Sequence, residues 1–132
     1  VNPESLIRTG LSQLGKPYKF NARPLQTKNF DCSSFIQHIH SEHGVALPRT
    51  SRQQYLACTP VAIDDLQPGD LLFFTTRRRR KREGISKIGH VALYIGKGRI
   101  LHTYRPHNKV TVSKMKGRWK KTALAAGRPR QQ

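Results

Sequence analysis

Acidic residues are scarce in this chain: seven Asp and Glu stand against twenty-five Lys and Arg, for a formal charge of +18. After Glu83 no acid occurs, while twelve Lys and Arg follow. Even without the run Arg77-Arg78-Arg79-Arg80-Lys81-Arg82 the chain would carry +12. Such a field attracts polyanions such as nucleic acid, anionic lipid, teichoic acid or lipopolysaccharide, and does not choose among them. Cysteine is also sparse. Cys32 and Cys58 form no C-x-x-C pattern, which excludes a disulfide scaffold and a four-Cys zinc site, although one Cys32–Cys58 bond remains arithmetically open. No apolar run approaches the ~20 residues of a membrane-crossing helix. The opening residues VNPESL, without Met, do not read as a signal peptide, and any targeting segment is expected to lie outside these residues. The 132 residues suffice for one domain, 1–132, with a core that needs no metal or disulfide.

Helical spacing comes first along the chain. Leu6, Ile7, Leu11 and Leu14 predict a helix over 3–14, interrupted in composition by Gly10 and ended by Gly15 and Pro17. From Tyr18 to Asn29 there is no periodicity, and a loop is expected. Asp31 is placed to cap a helix from Cys32 to His43, with Phe35, Ile36 and Ile39 buried and Gly44 as its stop. A short helix follows around Arg52 to Leu56, with Ser51 as its expected cap. The period then changes. Leu71–Phe74, His90–Ile95, Arg99–Tyr104, Val110–Val112 and Ala123–Arg128 read as strands, with the basic run in the loop between the first two. Helices followed by an antiparallel sheet make an α+β arrangement. No internal repeat is present.

Two constellations carry chemistry. Cys32 opens a helix, where the dipole and the free backbone N–H groups favour a thiolate. With a histidine nearby such a site can lower a cysteine pKa to about 3.5–7.5, and the same N–H groups suit a developing oxyanion. A small buried cysteine is the competing explanation. The second constellation is the hairpin around Gly96-Lys97-Gly98. A three-residue loop sets Ile95 opposite Arg99, so that paired numbers sum to 194. His90 then faces Tyr104, His102 faces Ala92, and the two histidines share one sheet face as diagonal neighbours roughly 7–8 Å apart. A two-residue turn would make the sum 195 and place them on opposite faces. In the first register His90 serves as base toward Cys32 and His102 orients its ring, the nucleophile–base–third-group pattern of covalent catalysis.

Five blocks in order complete the pattern: Gly15-Lys16-Pro17-Tyr18, Phe30-Asp31-Cys32-Ser33-Ser34-Phe35, Leu47-Pro48-Arg49-Thr50-Ser51, Leu66-Gln67-Pro68-Gly69-Asp70-Leu71 and Gly89-His90-Val91-Ala92-Leu93-Tyr94-Ile95-Gly96. Together they resemble the NlpC/P60 family of cell-wall cysteine peptidases, over about Leu6 to Arg128. The resemblance implies a papain-like α+β core, with N-terminal helices packed on a central antiparallel sheet. It also implies a Cys32–His90–His102 triad and cleavage of peptidoglycan stem peptides between D-γ-glutamate and a diamino acid. By the same resemblance Tyr18 lines the site near the oxyanion, and Asp31 and Ser33 help hold the substrate's free amine and backbone. No cofactor is expected. Three departures stand out: Ser34 occupies a position that is usually Gly, Lys19-Phe20-Asn21-Ala22 replaces a Gly-Gly pair after the tyrosine, and the basic stretch Arg77–Arg82 stands in the loop leading to the base-bearing strand.

Other clusters read as bland. His38, His40 and His43 ride one helix at spacings that do not converge on one ion, so no metal site is expected there, only solvated or partly packed rings. Cys58 is expected to be a small buried residue. Trp119, among Lys116, Arg118, Lys120 and Lys121, suits either a core anchor or a membrane or glycan contact. The basic run Arg77–Arg82 is expected as a solvated loop or as a dock for anionic envelope polymers, together with the basic C-terminal half. Nucleic acid is disfavoured, for want of a helix-turn-helix, an aromatic RNP-like strand or zinc-finger spacing. The expectation is thus a secreted or periplasmic, monomeric peptidoglycan endopeptidase. The alternatives are an amidase or effector of the same chemistry on another γ-glutamyl or isopeptide-like bond, and a basic polyanion-binding module without turnover.

Overall fold

The structure is a computed structural model that describes residues 2–24, 26 and 28–130; positions 25 and 27 of the expected 18–29 loop lie outside the described residues. Its core is one antiparallel sheet. Six strands, β1 (Cys58–Val61), β2 (Leu71–Thr75), β3 (Ile88–Gly96), β4 (Arg99–Tyr104), β5 (Lys109–Lys114) and β6 (Ala123–Pro129), lie in the order β1-β6-β2-β3-β4-β5. Helices α1 (Pro3–Leu11), α2 (Cys32–Ser41) and α3 (Ser51–Leu56) precede it, as an α+β fold requires, and α4 (Arg118–Thr122) joins β5 to β6. No described helix is long and apolar enough to cross a membrane.

The alternation of β2 and β3 splits the core in two. Leu71, Phe73, Val91 and Leu93 point to the helices and meet Phe35, Ile36 and Ile39 of α2. Leu72, Phe74 and Ala92 point to the other face, where Trp119 covers them. Trp119 is therefore a core anchor, only 8% exposed, and not a membrane or glycan contact. Both faces of β2 are buried, which is why its run is continuously apolar instead of alternating. Each fully buried Leu or Phe of this kind contributes about 1.5–3 kcal/mol.

Local chemistry sets the helix ends. Asn2 caps α1 by accepting from the N–H groups of Glu4 and Ser5. Gly10 is required by close approach: a Cβ there would stand 2.6 Å from Leu101 Cδ2, so the glycine lets α1 lie directly on β4. The helix stops at Leu11, three residues short of the expected Leu14, which is exposed. The cap of α3 is Thr50, whose side chain accepts from Gln53 N–H; the expected cap Ser51 is instead buried as the first helical residue. Sequence patterning also passes over β1 and α4, both short and without a clear apolar period.

The β3–β4 connection differs from the expected three-residue loop. Lys97 and Gly98 form a two-residue turn with φ of 53° and 68°, between the paired Gly96 and Arg99. These angles match the left-handed central residues of a tight hairpin turn. A shift between Tyr94 and Gly96 then adds one residue, Ile95, so that Tyr94 pairs with Ile100 and Leu93 with Leu101. The bulge thus restores the 194 register that the turn alone would have changed.

Candidate active site

Asp31 starts α2 with a capping box. Its Oδ1 accepts from Ser34 N–H at 2.9 Å, while Ser34 Oγ accepts from Asp31 N–H at 3.0 Å. The hydroxyl at position 34, where the motif usually has Gly, therefore closes the reciprocal half of the cap. Arg49 holds the same carboxylate with both arms, at 3.1 Å to Oδ1 and 2.5 Å to Oδ2, and bonds Ser33 Oγ at 2.8 Å. Asp31 and Ser33 are thus tied to α3's approach before any substrate arrives. The role of Arg49 escapes sequence reading because Asp31 is 18 residues away, although a lone Asp beside the first turn of a buried helix calls for a cation.

Cys32 follows at the first helical position, half-buried and free. The backbone N–H groups of Val91 and Ser33 act on Sγ and favour the thiolate. The backbone pairing of β3 with β4 runs from Gly96↔Arg99 to Leu93↔Leu101. Val91, on the helix-facing side of β3, acts on the thiol and stands one residue from His90. Despite the helix dipole, the thiol is pushed up to about 11, first by burial and then by the Asp31 charge; the two N–H groups and Arg49 only partly offset this. The expectation of a lowered thiol pKa is therefore corrected, because desolvation exceeds the benefit of the helix end.

Beyond the paired part of β3 and β4, His90 Nε2 and His102 Nδ1 are 2.8 Å apart, and His102 Nε2 is 2.8 Å from Ser113 Oγ. Both rings are buried. Burial lowers the pKa of each; Arg118 adds to the effect on His90, and His90, His107 and Arg118 to that on His102. Aromatic rings enclose the pair. Tyr104 stacks on His102 at 4.8 Å, Trp119 meets His102 edge-on at 4.7 Å and His90 at 5.3 Å, and the Arg118 guanidinium covers Trp119 at 4.9 Å. Ser113 and this enclosure lie beyond the sequence reading. Ser113 was reachable in principle, since His102 pairs with Thr111 and Ser113 is its same-face diagonal neighbour.

Tyr18 is brought to the same place by short strand-like pairings. Its N–H bonds Asn108 O at 2.9 Å, and it bridges to Phe30 just before Asp31. Its phenol pKa is raised, first by burial, then by Cys32 and Asp31, with Arg105 opposing. The hydroxyl thus stays a donor within electrostatic reach of the thiol. His38 and His40 are packed more deeply than expected: both are buried, and His40 Nδ1 lies 2.9 Å from Ile36 O. Cys58 is buried on β1 and free, as expected.

Residues 15–128 match the NlpC/P60 family. The chain belongs to the NlpC/P60 family. It is 36% identical over 109 residues to the gamma-D-glutamyl-L-lysine dipeptidyl-peptidase of Bacillus subtilis, covering 83% of this chain and 34% of that protein. The chain thus spans about a third of the length of that curated relative. Among solved structures, an NlpC/P60 family protein from Bacillus cereus superposes with a TM-score of 0.86 at 31% identity, over 98% of this chain and 40% of that one. The peptidoglycan hydrolase RipB of Mycobacterium tuberculosis gives 0.79 at 30%, over 96% and 63%. RipD of the same organism, a non-catalytic NlpC/P60 domain protein adapted to peptidoglycan binding, gives 0.77 at 27%, over 96% and 95%. The expected fold and family are therefore both found.

Proposed function

We propose that this chain is the hydrolytic unit of a peptidoglycan endopeptidase, cutting the bond between D-γ-glutamate and the diamino acid of stem peptides outside the cytoplasm. The observation that carries the reading is the hydrogen-bonded chain His90–His102–Ser113, with Cys32 opening α2 and acted on by Val91, the residue after His90. The relatives named as a gamma-D-glutamyl-L-lysine dipeptidyl-peptidase and a peptidoglycan hydrolase support the substrate class.

The proton arrangement follows from the hydrogen-bond chain. If His102 Nε2–H donates to Ser113 Oγ, its Nδ1 is a bare acceptor and His90 must donate through Nε2–H. Each neutral ring then carries one proton, and the Nδ1 lone pair of His90 is left for the thiol. With the thiol pKa high and the imidazole pKa low, the resting pair is neutral. His90 takes the thiol proton as Sγ attacks the scissile carbonyl. The oxyanion meets the Cys32 N–H, which at the first helical position has no acceptor within the helix, and the Tyr18 hydroxyl. The imidazolium passes its proton to the leaving amine as the C–N bond breaks. Water, deprotonated by His90, then cleaves the thioester and restores the thiol. In this reading Asp31 and Ser33 help hold the substrate ammonium, sharing bonds now made to Arg49.

The test is digestion of purified muropeptides with product masses read by mass spectrometry. The wild-type chain should release fragments cut after D-glutamate, and Cys32→Ala, folded by circular dichroism, should release none. The raised thiol pKa and the RipD likeness favour one second reading, a peptidoglycan-binding domain without turnover. Wall binding by a wild-type chain that never cleaves would select it.

A further inference from the structure

Residues 76–87 connect β2 to β3 and hold the six consecutive cations Arg77–Arg82. The connection is folded, not loose. Arg79 N–H bonds Thr76 O at 3.0 Å, Arg82 N–H bonds Arg79 O at 2.9 Å, and the Arg79 guanidinium donates to Ser86 O at 3.0 Å. Gly89 allows this loop to lie flat on β3: a Cβ there would stand 2.6 Å from Thr76 Oγ1 and 3.1 Å from Arg79 Cδ. The loop is therefore seated on the residue directly before His90. Arg77, Arg78, Arg80, Lys81 and Arg82 are exposed.

Arg52 of α3 joins the cluster from below, donating to Ile88 O at 2.6 Å. Arg79 feels the crowding: its guanidinium is held below the usual arginine range, first by partial desolvation and then by the charges of Arg52, Arg82 and Arg78. The ion pairs among the described residues involve Glu4, Asp31, Glu42 and Asp70, and none of them reaches this cluster. The one acid of the loop, Glu83, makes no ion pair among the described residues, and six clustered cations against one acid favour an external anion.

The side chains narrow the chemistry of that anion. Five of the six cations in the run are Arg, whose planar fork matches phosphate oxygens in pairs. Between Thr75 and Ser86 there is no aromatic residue on which a base could stack. The run is folded as turns, not as a helix able to enter a groove. A single apolar side chain accompanies it at the surface, Ile85 at 40% exposure, too little to hold a bilayer. We propose that the Arg77–Arg82 loop, with Arg52, is a docking surface for a linear phosphodiester polymer without bases, of the polyol-phosphate kind carried by bacterial walls. Docking there would bring the His90 end of β3 against the wall.

The probe is fluorescently labelled poly(glycerol phosphate), titrated with the full chain by anisotropy at 50 and 200 mM salt. The variant Arg77→Gln/Arg78→Gln/Arg80→Gln/Lys81→Gln/Arg82→Gln should bind at least about tenfold more weakly at the lower salt and with a shallower salt dependence. The variant Arg77→Lys/Arg78→Lys/Arg80→Lys/Arg82→Lys keeps every charge and should keep the salt dependence while losing affinity several-fold. Poly-γ-glutamate, double-stranded DNA and phosphatidylglycerol vesicles should each bind more weakly than the polymer at 200 mM salt. Unchanged binding by the glutamine variant overturns the proposal, as does tighter binding of DNA, vesicles or polyglutamate. Binding is read without turnover, so its outcome is independent of whether the chain cleaves stem peptides.

Discussion

His90 Nε2 and His102 Nδ1 stand 2.8 Å apart where β3 and β4 no longer pair. Backbone pairing aligns the two strands only as far as Leu93↔Leu101. Below that point the two histidine side chains bond to each other.

Removing the second ring should leave His90 free to rotate and without its acceptor. His102→Ala is expected to lower kcat by about 10²–10⁴-fold, the scale of positioned acid–base catalysis, with a smaller change in KM. Ser113→Ala, which removes only the outer bond of the chain, should cost less. Steady-state kinetics on a stem tetrapeptide decide this; an unimpaired His102→Ala enzyme would take that residue out of the machinery.

The resting pair should be thiol and imidazole, not an ion pair. Alkylation of Cys32 by iodoacetamide should therefore be slow at pH 5 and rise continuously above neutrality, without an acid-side plateau. The base must be unprotonated to act, and its pKa lies below the ordinary histidine value, so the acid limb of kcat/KM should fall below about pH 6.5. Arg118 disfavours the imidazolium, and Arg118→Gln should move that limb upward. A limb that stays in place would show that the cation's charge does not reach the ring.

Arg49→Ala would leave Asp31 as a buried carboxylate without its cation. Breaking such a pair from one side costs about 3–5 kcal/mol. Arg49→Lys should recover only part of this, since the contact uses both arms of the guanidinium. Chemical denaturation measures both variants, and a loss under about 1 kcal/mol for Arg49→Ala would contradict the pairing's structural role.

Acid should unfold the chain through its buried histidines. His40 is held at about 4 by burial, against about 6.5 in an unfolded chain. The unfolded state therefore binds the extra proton between these values. Stability is complete above about pH 6.5 and is lost as pH falls toward 4, by on the order of 3 kcal/mol for this one ring. Melting curves from pH 7 to pH 4.5 should show the decline, and His40→Leu should flatten it. A melting temperature independent of pH over that range would refute the assignment.

Particular residues show where sequence reading stopped. Asp31 before Cys32 was legible because a cap acts within three residues of itself. The shared face of His90 and His102 was also legible, though for an incomplete reason: Lys97 and Gly98 make the shorter turn, and the bulge at Ile95 supplies the missing residue. Nothing in a string of letters distinguishes an extra residue in the turn from one in the strand. Burial of His38 and His40 was not legible either, because it depends on which elements pack over that face of α2.

Residue order by itself determined the helices-then-strands layout, the capped helix that opens with Cys32, the hairpin that pairs the histidines, and the excess of positive charge. These are local or additive properties, set by spacing and by neighbours a few positions away. Tertiary structure alone decided that Arg49 closes on Asp31, that Trp119 covers the histidines with Arg118 over its ring, and that burial raises the thiol pKa instead of lowering it. Each depends on which distant groups exclude water from one another, a relation that exists only once the chain has packed.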